Sequence, residues 1–176
     1  MTELDGSAGP RCASCGRVVL VDGPVWRIEA GRDCGGVENV ARWMEEASDP
    51  TALSRSQRRR RRDEVADVLV RLRDIAYKDM TRYPEAFNIL SPDRRSELVV
   101  RIPDGRRYAR MRLSQVVKDG ELWEVKAGRI RLPCFRVDTC GQQTLRMTHV
   151  FEKATPATPR REIDRGLAIM RCDMED

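Results

Sequence analysis

Two kinds of apolar spacing divide the chain. Val37, Val40, Ala41 and Met44, and then Val65, Val68, Leu69, Leu72 and Ile75, recur at intervals of three and four. Such intervals line one face of an α-helix, so helices are predicted over 36–47 and, after the basic run Arg58 to Arg62, along the stripe from Val65 to Ile75. Ser48-Asp49-Pro50 ends the first, and a polar, basic connection leads into the second, which suits an antiparallel helical hairpin. Before them, Val18 to Val21 and Val25 to Glu29 are strand-like pieces divided by Asp22-Gly23-Pro24. Residues 78–96 are broken at Tyr83-Pro84 and Ser91-Pro92 and predict no regular element. Strand character follows. Leu98 to Ile102 and Tyr108 to Leu113 flank Pro103-Asp104-Gly105, which predicts a hairpin. Lys118-Asp119-Gly120 then turns into 122–126, 130–137 and 144–151, strands with glycine-containing turns that predict an antiparallel meander. Thr158 suits a helix N-cap and Pro159 a first helical position, and Ile163, Leu167 and Met170 give the closing helix its apolar stripe. The order helix, helix, strands, helix predicts an α+β fold, with helices on one face of a small antiparallel or mixed sheet.

Composition narrows the class. The 176 residues suit one globular domain with a modest appendage, large enough to bury a core without staples. Residues 1–23 read as a flexible N-terminal extension and 24–176 as the domain proper, with 78–112 an insertion or extended hairpin. Charged residues make up 35% and the formal net charge is +5, which suits an anionic partner, or simply a solvated surface. No apolar run approaches the ~20 residues that span a bilayer. The acidic, polar start is not expected to act as a secretory signal, so a cytoplasmic location is expected. The six cysteines are then expected as free thiols or metal ligands rather than disulfides. Cys12 and Cys15, in a CxxCG pattern, have the spacing of a zinc-knuckle half-site. The nearest further thiol is Cys34 and no second CxxC exists, so the half-site reads as incomplete, and no metal or cofactor is expected. Cys134 and Cys140 read as packing residues or free thiols.

Three segments carry a resemblance to a known family. They are Asp119-Gly120-Glu121-Leu122-Trp123-Glu124-Val125-Lys126, then Gly128-Arg129-Ile130-Arg131-Leu132, then Thr148-His149-Val150-Phe151-Glu152-Lys153 with Thr155-Pro156 and Glu162-Ile163 behind it. Together they resemble the RelE superfamily of bacterial toxins, and within it the HigB-like, phage-derived group. Trp26 to Ala76 more loosely resembles that family's opening strand and helical hairpin. The resemblance implies a RelE-like fold over 24–176, with an N-terminal helical hairpin and a C-terminal helix. It further implies the toxin of a type II toxin–antitoxin system, a metal-independent endoribonuclease that cuts mRNA on the ribosome. Its expected partners are mRNA, the ribosome and a cognate HigA-like helix-turn-helix antitoxin. Lys126 stands where the family usually has arginine, Glu152 where it commonly has a basic or neutral residue, and Pro133 within a strand suggests an edge or a bulge.

Such a nuclease lets a ribose 2′-OH attack the adjacent phosphate. The hydroxyl must lose a proton, the phosphorane must be neutralised and the leaving oxygen must be protonated. His149 is the only histidine and the side chain best suited to move protons near neutral pH. Arg131 offers a permanent, forked charge for the phosphorane. Lys126 could meet the same phosphate or serve as a base. Arg129 alternates with Arg131 and is expected on the same strand face. Lys153 suits phosphate binding and Phe151 suits stacking on a base, whereas Trp123 reads as core. Arg58 to Arg62 would oppose a helix dipole at a helix start and reads as a solvated run, or as a contact to RNA or to an acidic antitoxin. Two rival readings stand beside the nuclease. One is a ParE-like gyrase-inhibiting toxin on the same fold, and the other a non-catalytic nucleic-acid-binding accessory protein.

Overall fold

The computed structural model describes residues 9–77, 87–89, 122–154 and 158–176. The hairpin expected over 98–113 and the turn at 118–120 lie outside these residues. The elements are β1 (Val19–Asp22), β2 (Arg27–Ala30), α1 (Asn39–Glu45), α2 (Arg55–Tyr77), β3 (Phe87–Ile89), β4 (Trp123–Ala127), β5 (Ile130–Thr139), β6 (Gln142–Met147), β7 (Phe151–Glu152) and α3 (Arg160–Glu175). They build an α+β structure around one mixed sheet in the order β1-β2-β6-β5-β4-β3, with β7 beside the start of β5. Among the described residues every pairing is antiparallel except β2 with β6. The stretch read as an N-terminal extension supplies β1, and β3 lies within 78–96, where no regular element was expected.

Local chemistry fixes the meander. β4 turns into β5 through Gly128 at φ 56°, and β5 turns into β6 through Cys140 and Gly141 at φ 58° and 73°. Two consecutive positive φ values make the tight turn that matches strand twist. Pro133 lies in the middle of β5, opposite Glu124 of β4. It has no N–H for a ladder, and the facing strand is interrupted there between β6 and β7. The Pro133 carbonyl instead accepts the Thr148 N–H at 2.8 Å and the Thr148 hydroxyl at 3.0 Å. The bulge expected of Pro133 is thus taken up by the facing strand.

Both faces of the sheet are covered, which corrects the expectation of helices on one face. On one side Trp123, Val125, Leu132, Cys134, Leu145 and Met147 pack with Val40 of α1 and Val68, Leu72 and Ile75 of α2. On the other side α3 lays Ile163 against Leu122. Gly166 permits the approach, since a Cβ there would come within 2.7 Å of Leu122. Alternation told which residues share a face, but not that the more polar face would be roofed by an element far along the chain. α3 begins after Pro159 with no side-chain cap, because the Thr158 hydroxyl turns to Glu124 instead.

Two further ties hold α3. Asp173, buried, accepts from Arg17 at 3.0 Å and from Arg146 at 2.7 Å, and Arg146 also reaches Glu29 at 3.3 Å. Cys172 of α3 forms a disulfide with Cys34, with Cα atoms 5.1 Å apart. That corrects the expectation that no cysteine would be disulfide-bonded, and it removes Cys34 as a zinc ligand for Cys12 and Cys15. Composition had suggested a reduced set of thiols, but a pair 138 residues apart gives no local signal. Among the described residues no helix is long and apolar enough to cross a membrane.

Candidate functional site

Register assembles the site. Lys126 pairs with Arg131 across β4 and β5, and Arg131 pairs with Phe151 across β5 and β7. Directly opposed residues project to the same side of a sheet. Lys126, Arg131 and Phe151 therefore form one row. It is the α3 side, because Glu124 and Pro133, two positions along the same strands, meet Thr158 and Gly166.

Glu124 sits at the centre of this row with no exposed surface. One carboxylate oxygen accepts the Thr158 hydroxyl at 2.8 Å. The other lies 3.5 Å from Arg131 Nε and 4.0 Å from Lys153 Nζ. A dry carboxylate is costly unless cations and donors surround it, and here both do. Arg131 Nη1 donates to the carbonyls of Gly128 at 2.6 Å and Ile130 at 2.8 Å. Its Nη2 has no partner among the described residues. The guanidinium is therefore clamped through Nη1, with 15% of the side chain exposed.

His149 falls in the break between β6 and β7 and is fully buried. Its Nδ1 lies 3.0 Å from the Thr148 hydroxyl and its Nε2 lies 3.2 Å from Glu162 of α3. A carboxylate accepts only, so the tautomer that fits carries its proton on Nε2. Burial, and then the charge of Arg165, lower the imidazole to about 4 against the opposing pull of Glu162. The ring is neutral near pH 7. It stacks on Phe151 with centroids 5.8 Å apart at 28°. Phe151 thus touches the imidazole and stands opposite Arg131 in the ladder.

No known relative guides the assignment. Compared with family models, curated proteins and solved structures, the chain matches none. Function rests on the geometry.

The remaining expected residues divide. Lys153, just past β7, joins the cluster through Glu124. Arg129 does not. It lies in the turn before β5, exposed, and pairs with Glu152 at 3.6 Å. Glu152 stands opposite Ile130, the neighbour of Arg131, and so belongs to the other face. Trp123 is core, as expected. Two arginines of the basic run are paired with carboxylates. Arg60 bridges Glu64 at 2.8 Å and Glu152 at 2.7 Å, while Arg61 meets Glu46 at 3.1 Å and lies over Trp43. Phe151, Trp43, Arg60 and Arg61 line a cleft of about 360 Å³. A smaller one of about 240 Å³, beside His149, is lined by Arg42, Trp43, Glu46 and Arg165. Glu124 and Glu162 were not singled out from sequence, and Thr158 only as a helix cap. Glu124 shares the parity of Lys126, and that was the signal available.

Proposed function

We propose that this chain is an RNA-cutting toxin of the RelE type, acting through the row of Lys126, Arg131 and Phe151 with Lys153 beside it. The observation that carries the reading is the cross-strand placement of Lys126 and Phe151 on either side of Arg131. In this reading Arg131 meets the phosphorane, Lys126 and Lys153 share the phosphate charge, and Phe151 stacks on a base. His149, oriented by Glu162 and neutral as a base must be, moves the proton. The scissile phosphate must pass Phe151 to reach it. Ribosome dependence and control by a HigA-like antitoxin belong to the same proposal.

One observation favours a second reading, the non-catalytic nucleic-acid-binding protein: both ring nitrogens of His149 are engaged and the ring has no exposed surface. Primer extension on cellular messages after induced expression separates the two. The nuclease reading expects discrete cuts from the wild type, lowered about 10²–10³-fold by Arg131→Ala with ribosome binding kept. Absence of cuts by the wild type sinks it, and equal growth arrest by wild type and His149→Ala selects the binding protein. Trapped gyrase on DNA without message cleavage would select the ParE-like alternative.

A further inference from the structure

The CxxCG loop finds partners that the linear sequence does not reveal. Cys12 and Cys15 lie in a tight loop closed by hydrogen bonds from Cys12 N to Arg17 O and from Gly16 N to Cys12 O, both 2.8 Å. The Cys140 thiol, carried by the turn between β5 and β6, lies 3.9 Å from the Cys12 thiol. Glu29, on β2, presents both carboxylate oxygens at 3.9 Å from the Cys15 thiol. The ligand atoms of Cys12, Cys15 and Glu29 all fall within 4.8 Å of one another. Two segments therefore deliver two sulfurs and a carboxylate to one point, and a third brings the Cys140 thiol alongside Cys12.

From this arrangement we infer that Cys12, Cys15 and Glu29 hold a structural zinc, and that the exposed Cys140 thiol beside Cys12 turns in as its fourth ligand. A tetrahedral zinc with bonds of ~2.3 Å to sulfur sets its sulfurs about 3.8 Å apart, close to the Cys12–Cys140 separation. Glu29 is fully buried, and Arg146 takes its Oε2 at 3.3 Å. Its other oxygen is the one to face the ion. Three thiolates and a carboxylate around a divalent ion leave an excess of two negative charges. Two cations adjoin it: Arg146, shared between Glu29 and Asp173, and Arg27, paired with Asp22, whose Nη1 lies 3.8 Å from the Cys12 sulfur. The Ser14 hydroxyl, in contact with the thiols of both Cys12 and Cys140, gives the sulfurs an outer hydrogen-bond partner. Binding displaces the thiol protons to solvent, and no redox step is involved.

The site is separate from the proposed nuclease row. Arg131 and Thr139 mark opposite ends of β5, about 27 Å apart at strand rise. The ion would lock the loop at 9–16 to the far end of the meander, and would not touch RNA.

The full-length protein, purified without chelator from zinc-supplemented cells, is expected to carry one zinc per chain by elemental analysis. Cobalt substitution is expected to give sulfur-to-metal charge-transfer bands and visible bands of tetrahedral intensity, with the strength of three thiolates. Cys140→Ser, at an exposed turn, is expected to weaken zinc binding more than about 100-fold, beyond the loss typical of an outer-sphere partner. A Cys34→Ser/Cys172→Ser protein is expected to keep its zinc. A wild type with no zinc and no cobalt charge transfer overturns the site, as does undiminished affinity in folded Cys140→Ser. So does peptide mapping that finds Cys12 bonded to Cys140 in protein prepared with zinc. If Cys140→Ser does not fold, the wild-type cobalt spectrum decides alone.

Discussion

A buried imidazole beside a carboxylate is pulled two ways, and at His149 desolvation wins. Its folded value near 4 lies below the ordinary 6.5, so the unfolded chain binds this proton more readily than the native one. Stability from this group is complete above about pH 6.5 and is lost as pH falls toward 4. Glu162 and Arg165 of α3 face the ring, and Arg42 and Glu46 line the cleft beside it. Urea midpoints measured from pH 7.5 down to pH 4.5 should therefore fall for the wild type and fall less for His149→Gln. Equal slopes would show that the ring titrates normally. Gly23 offers a second test at this scale. A Cβ there would collide with the Ala76 carbonyl, which accepts the N–H groups of Val25 and Trp26. Backbone cannot swing aside as a side chain does, so Gly23→Ala should cost roughly 1–3 kcal/mol in chemical denaturation.

α3 shows what periodicity does and does not convey about an element. Its stripe of Ile163 and Met170 was readable at helical spacing, and both are buried. The same stripe also buries Gly166 and Asp173, which no hydrophobic pattern would place inside. Asp173 is there because Arg17 and Arg146 approach it from the N-terminal loop and from β6. Asp173→Ala would leave two buried guanidiniums with one weaker carboxylate partner each, Glu29 for Arg146 and Asp176 for Arg17. A loss of roughly 3–5 kcal/mol is expected by urea titration, with Asp173→Ala/Arg146→Met losing less than the single change. Glu124 follows the same logic. Its alternation with Lys126 marked a polar face, but burial came from α3 and Thr158, which a strand pattern does not foresee.

Across the whole molecule, the legible parts were those fixed by neighbours in sequence. The two helices, the glycine turns at 128 and 141, and the strands between them were written in local spacing. The members of the row were legible, since Lys126, Arg131 and Phe151 were already candidates, but the register that aligns them was not. Arg129 misled because the strand starts one residue later than alternation implied. Long-range pairings left no trace in the pattern. The Cys34–Cys172 bond, closing 138 residues, is one of them. Replacing both cysteines by serine should lower stability by about 2–5 kcal/mol, and reductant should do the same to the wild type but nothing further to the double variant.

The single parallel pairing has a consequence for the order of assembly. β2 meets β6 only through partners such as Glu29 and Arg146, 117 residues apart. During synthesis the first hairpin therefore waits, with one strand edge open, until most of the chain has emerged. Contacts so distant in sequence slow folding and leave an unpaired edge available to other chains in the interval. Fragments that stop before residue 142 should then aggregate where the full chain stays monodisperse.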